Sequence, residues 1–337
     1  MTAKTDPITV VSQGSFAFGG TVISDSAGRT LHVDHGYAQF QIPPSARELA
    51  IVMWHASSSM TWESTFDGRE GFQTSFLRRG FPVYLIDPPR QGKAGQGGTA
   101  TSVTPDIGRD QLTFALWRLG EWNPPAPPTF FPRVRAPADV DAFLDQLLRA
   151  RYPVLGPEEP EIDTSAVGAL LDRIGPAILF THSGSGKRGW LTGMRTGNVR
   201  GIVAFEPVTF VFPAGAQPEE VPTRNEAARE RIRPIVVPDE QFTRLARVPI
   251  AIVFGDNIAT EPSADLAREL WRVVVERARQ FVASLTRYGG DASIIRLPEA
   301  GLSGNTHAPM QDANSAEVAA VVMRFLEGHA LANRGEG

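Results

Sequence analysis

Six short apolar runs punctuate the chain, at residues 49–54 (LAIVMW), 83–86 (VYLI), 177–180 (AILF), 202–205 (IVAF), 250–254 (IAIVF) and 292–297 (ASIIRL). Most are continuous rather than alternating, the pattern of strands buried on both faces of a parallel sheet. The N-terminal stretch differs. Residues 16–23, a turn at 24–28 (SDSAG) and residues 30–42 read as antiparallel strands. Leu31, Val33 and Tyr37 alternate there, and Phe40 and Ile42 resume one residue out of step. The slip predicts a β-bulge between Tyr37 and Phe40.

Helical spacing separates several of the runs. Val140, Phe143, Leu144, Leu147 and Leu148 share one helical face, with Pro137 expected in the first turn. Leu266, Leu270, Val273, Val274, Phe281 and Leu285 share another, between an expected N-cap at Ser263 and Gly289 past the end. Val318, Val321, Val322 and Phe325 form a last face, where Asn314 and Glu317 are spaced like a capping box. Strands alternating with helices predict an α/β fold with a mostly parallel central sheet.

Two segments break that rhythm. Residues 99–161 include an aromatic, Pro-rich run (WRLGEWNPPAPPTFFPR, 117–133), and residues 208–248 are charged and irregular. Insertions between sheet strands lie over the C-terminal edge, where ligands bind, so both are expected to be lid or pocket wall. Neither is a linker that splits the chain, and residues 1–337 are read as one domain.

Composition narrows the function. The 337 residues are 42 % apolar, enough for a large core. With 33 Lys+Arg against 37 Asp+Glu the net charge is −4, without the basic excess of a nucleic-acid binder. Cysteine is absent, which removes disulfides, thiolate metal sites and a Cys nucleophile. No apolar run is long enough to span a membrane, and the first residues lack the apolar core of a secretory signal. A cytoplasmic chain with no membrane partner is the expectation.

The chemistry is concentrated in residues 177–195 (AILFTHSGSGKRGWLTGMR). A strand running into a sharp turn with Ser183 at the apex, then a helix, is a nucleophile elbow. The usual pattern has Gly two residues before and two after the Ser; here Thr181 and Ser185 stand there. A Walker A loop fails at Thr181 and Arg188. A dinucleotide fingerprint fits better, since Gly184, Gly186 and Gly189 spell GxGxxG and Glu206 ends the next strand. Against it, two buried runs precede the motif, Glu206 follows too soon, and Gly193 and Gly197 interrupt the helix.

An activated Ser needs a base and a group to orient it, in the order Ser, acid, His for this elbow. The histidines are His32, His35, His55, His182, His307 and His329, of which only His307 and His329 follow Ser183. His329 falls in a polar tail, whereas His307 lies in a loop between the last strand and last helix (GLSGNTHAPM). Two acids end strands on the same edge: Glu206 after IVAF and Asp256 after IAIVF. Spacing leaves both open. Ala56 or Ser57, just after His55, with Gly184 would supply oxyanion N–H groups. Trp117, Trp122, Phe130, Phe131, Phe210 and Phe212 in the insertions are candidates for an apolar substrate pocket.

A series of stretches in order makes a resemblance explicit: QGSFAFGG (13–20), TWESTFDGREGFQTSFLRR (61–79), VYLIDPP (83–89), ILFTHSGSG (178–186), IVAFEP (202–207), FGDNI (254–258) and GNTH (304–307). Together they resemble the bacterial esterase 713-like branch of the α/β-hydrolase superfamily. The resemblance implies an α/β-hydrolase fold and a serine esterase acting on a small-molecule ester or lactone without cofactor or metal. It further implies Ser183 as nucleophile, His307 as base and Glu206, rather than Asp256, as acid. Thr181, Ala56 and Gly184 depart from the branch's pattern, and bear on oxyanion geometry more than on reaction class.

Overall fold

The apolar runs form six neighbouring strands of an eight-stranded sheet in the computed structural model, which describes residues 6–334. Its strands are β1 (Ser12–Phe18), β2 (Gly36–Ile42), β3 (Ala50–Trp54), β4 (Val83–Asp87), β5 (Ala177–His182), β6 (Val199–Phe205), β7 (Ile250–Phe254) and β8 (Ala292–Arg296). They lie in the order β1-β2-β4-β3-β5-β6-β7-β8. β1 pairs antiparallel with β2, and β2 with β4; every other pair is parallel. Every residue of β3, β4, β5 and β7 is buried, which is why their sequences carry no alternation.

Helices cover both faces. They include α1 (Phe72–Arg78), α2 (Arg109–Leu116), α3 (Val140–Arg149), α4 (Pro160–Ile174), α5 (Gly186–Arg195), α6 (Leu266–Arg287) and α7 (Ser315–Gly328). Val52, Trp54, Leu179 and Ile252 point to one face, packed against Leu170 of α4, Trp190 of α5 and Val274 of α6. Ile51, Met53, Phe180 and Val253 point to the other, against Phe76 of α1 and Val322 of α7. A one-residue alternation along each strand thus feeds two cores.

Several local expectations are corrected. The N-terminal strands are shorter, because the chain breaks after Phe18 and again at Asp34, whose backbone is left-handed (φ 57°). Thr21–Ser24 and Thr30–Val33 form a separate hairpin. No bulge lies between Tyr37 and Phe40: the register from Ala17↔Tyr37 to Gly14↔Phe40 is unbroken. The N-cap of α3 is Asp139, which accepts from Ala142 N–H at 3.1 Å, so Pro137 stays outside the helix. Asp265 caps α6, accepting from Arg268 N–H at 2.8 Å, and Ser263 lies before it. Asn314 precedes α7 but makes no capping box, since its amide is taken by Asn305.

The two insertions part company. Residues 99–161 reach the C-terminal edge of the sheet and bring Trp117 there. Residues 208–248 send apolar side chains into the core. Their apolar side chains, Phe210, Phe212, Val221 and Phe242, are buried in the core around Trp190 and Phe281. Burying these rings against α5 and α6 removes far more apolar area from water than a mobile flap would.

Candidate active site

β5 ends at His182, and Ser183 turns the chain with φ 55°. A left-handed backbone costs a non-glycine residue roughly 1 kcal/mol or more and is kept where the surroundings enforce it. One tight turn, Ser183–Ser185, leads into α5. The helix lies so close to the sheet that a Cβ at Gly186 would come 2.6 Å from Pro207 Cβ, and one at Gly189 2.8 Å from Thr181 Cγ2. Two glycines of the GxGxxG run thus serve helix–strand packing.

The two serines of the elbow differ sharply. Ser185 is fully buried; its hydroxyl lies 2.8 Å from both Trp54 O and His182 O and accepts from His182 N–H. Its oxygen is committed to the backbone. Ser183 at the apex is only half-buried.

Parallel pairing sets the remaining groups beside this turn. Phe205 pairs with His182 on one side and with Val253 on the other, so Glu206 begins where Ser183 begins, one strand away. Glu206 also has a left-handed backbone (φ 52°) and is fully buried. Its Oε2 lies 3.4 Å from His307 Nδ1. His307 is held by His182, the residue before Ser183, whose ring centroid is 4.8 Å away and whose Nε2 is 2.9 Å from His307 O. A carbonyl only accepts, so His182 Nε2 carries the proton. Burial, with His307 nearby, pushes His182 down to about 3, and it stays neutral.

Asp256, the other strand-end acid, faces elsewhere. Its carboxylate accepts from Asn257 N–H at 2.7 Å and Gly304 N–H at 2.8 Å. Glu206 is therefore the acid that meets His307 in the structure.

Burial pushes the Glu206 carboxyl up, but the Arg118 guanidinium and His307 outweigh it and bring it down to about 2. His307 lies below its ordinary value: burial lowers it, Glu206 raises it, and Arg118 and Arg151 lower it again. The site thus combines an ionised carboxylate and a neutral imidazole that packs on His182, the residue before Ser183.

The loop after β3 flanks the elbow. A Cβ at Gly184 would lie 3.7 Å from Ala56 Cβ, so residues 55–57 adjoin the turn. His55 is buried with Asp87, Nε2 to Oδ1 3.0 Å, and Tyr152 N–H donates to Ser57 O at 2.9 Å. These contacts fix the backbone of Ala56 and Ser57 beside Gly184.

Sequence reasoning did not find Arg118, Trp271 or Asp312. Arg118 donates through Nη1 and Nη2 to the two oxygens of Glu206, at 3.0 and 2.6 Å. Trp271 lies 4.6 Å from the His307 ring, centroid to centroid. Asp312 binds Thr306 N–H and Oγ1, each at 2.8 Å, just before His307. Arg118, whose partner is far away in the chain, left no signal in the sequence.

The six pocket candidates do not gather. Trp117 packs edge-on to His307, 5.6 Å between centroids. Trp122 and Phe131 line a cavity of about 650 Å³ beside Arg118, with Asn257 and Ile258. Phe130 leans on Phe114 at 5.0 Å. Phe210 and Phe212 are core residues, as described above. Among the described residues, no three His, Asp or Glu side chains converge as a metal-ligand set, and no helix is long and apolar enough to cross a membrane.

No protein-family model matches the chain. A probable secreted lipase, phiG, of a fungus (Fungal sp., strain ATCC 74256) is 27 % identical over 321 residues, covering 86 % of this chain and 85 % of the lipase. A solved structure described as a novel bacterial esterase superposes with a TM-score of 0.74 at 26 % identity, covering 98 % of this chain and 99 % of that one.

Proposed function

We propose that this chain, a member of the α/β-hydrolase superfamily, is a serine esterase that cleaves a small-molecule carboxylic ester or lactone through an acyl-enzyme. The observation that supports the reading is that His307 lies 3.4 Å from the Glu206 carboxylate and 4.8 Å, centroid to centroid, from the ring of His182, the residue before Ser183. The esterase and lipase likenesses support the same reaction class.

Each group has one task. Ser183 Oγ attacks the carbonyl carbon while His307 Nε2 takes its proton. Glu206 accepts from His307 Nδ1–H, holds that tautomer and stabilises the imidazolium. The carbonyl oxygen becomes an oxyanion, held by the N–H of Gly184 and an N–H of Ala56 or Ser57. Collapse of the tetrahedral species breaks the ester C–O bond, and His307 returns the proton to the departing alcohol. Water repeats the sequence on the acyl–Ser183 ester and releases the acid.

A panel of p-nitrophenyl esters and lactones, scored by kcat/KM, tests the reading. Turnover that falls about 10⁴-fold in Ser183→Ala is the expected result. No turnover of any ester or lactone, or turnover unaffected by Ser183→Ala, contradicts it.

A further inference from the structure

We propose that Arg118 is a positioning residue of the triad: its guanidinium holds both carboxylate oxygens of Glu206 and sets the pH at which His307 becomes a free base. The proposal rests on the triad reading above and goes beyond it. Arg118 and Glu206 are both buried, and they form a fork-on-fork pair in which each oxygen of the acid receives one N–H. Gly255 N–H adds a third bond to Oε1 at 2.5 Å. His307 approaches the same carboxylate at 3.4 Å, longer than a usual charge-assisted bond of about 2.8 Å. The acid is thus aimed by Arg118 first and used by His307 second.

The arginine is itself held by two further contacts. Its Nε donates to Asp256 O at 2.8 Å. Its guanidinium lies over the Trp271 ring, 4.7 Å from the centroid, and Trp271 Nε1 donates to Leu116 O at 2.7 Å. Its backbone is left-handed (φ 57°), like those of Ser183 and Glu206. The preceding residue, Trp117, accepts His307 N–H through its carbonyl at 3.0 Å. One dipeptide therefore grips both the acid and the base, and lysine could not reproduce the planar fork.

The consequence is electrostatic. With Arg118 in place, Glu206 is half of a neutral ion pair, so a proton added to His307 creates a net buried charge. Without Arg118, the same proton would neutralise a lone buried carboxylate. Whether it sat on His307 or Glu206, the pair would hold it to a higher pH and the base would be lost. The other groups facing this pair are His182 from β5, which stays neutral, Arg151 from the 99–161 insertion, and Arg296 at the end of β8. Asp312 lies behind the His307 loop, and its carboxylate also feels Arg118.

The test is the pH profile of kcat/KM for p-nitrophenyl acetate with wild type, Arg118→Gln and Arg118→Lys. In Arg118→Gln the acid limb moves up by about one pH unit. In Arg118→Lys the limb stays within about half a unit of wild type, while kcat falls about tenfold and KM is unchanged. An unmoved limb in Arg118→Gln, or full kcat in Arg118→Lys, overturns the proposal. If Arg118→Gln does not fold, Arg118→Lys decides through its kcat: a roughly tenfold fall at unchanged KM supports the proposal and full kcat overturns it. Failure of the triad reading is distinguishable, because it appears as turnover that survives Ser183→Ala in the otherwise unaltered protein.

Discussion

Asp256 Oδ2 accepts a hydrogen bond from Gly304 N–H at 2.8 Å, and so ties the end of β7 to the loop that carries His307. The acid that sits where a later-strand triad member would sit is therefore a brace. Its other oxygen closes a turn on Asn257 N–H. Asp256→Asn should lower stability by about 1 kcal/mol for weakened acceptors, with kcat kept within about tenfold. Glu206→Gln should lose roughly 10²–10⁴-fold in kcat, because the imidazolium loses its counter-charge. Paired steady-state kinetics and thermal melts check both, and the reverse ranking would exchange the two roles.

Ser185 is two residues from Ser183 but its hydroxyl is bound to the backbone of His182 and Trp54. Ser185→Ala leaves the buried His182 N–H without its partner. A stability loss of about 1–3 kcal/mol is expected, read by chemical denaturation. Labelling of the protein by a fluorophosphonate should persist in this variant.

Asp312 gives stability a pH dependence. Burial pushes its carboxyl up to about 7, from an ordinary 3.8. The folded protein keeps a proton that the unfolded chain has already released, so the stability contributed by protonated Asp312 is complete below the unfolded value. It declines as pH rises through the interval and is lost above the folded value. Asp312→Asn keeps a neutral side chain that can bond Thr306 and Asn305, and its melting temperature should fall less than that of wild type between about pH 5 and about pH 8. Parallel melting curves for the two proteins would show that Asp312 does not titrate in this range.

How much of this was legible depends on how far each feature reaches. β3, β4, β5 and β7 were readable because burial on both faces leaves an uninterrupted apolar run. The elbow was readable because its small residues are contiguous. The start of α3 lies later than expected, past Pro137 at Asp139, and the cap of α6 is displaced by two residues, since Asp265 competes with Ser263 on nearly equal local terms. Phe210 and Phe212 could not be told from pocket residues, because an apolar ring in an insertion looks the same whether a substrate or Trp190 and Phe281 cover it. Arg118 was invisible. Its partner lies 88 residues away in the chain, and only the meeting of the 99–161 insertion with the end of β6 makes them a pair.

The most direct measurement of the central claim is mass spectrometry of the peptide modified by a fluorophosphonate probe. Ser183 alone should carry the label, at about one per chain, and labelling should be lost in His307→Ala because the two act as one unit. Label on Ser185 or elsewhere, or undiminished labelling without His307, would contradict the account.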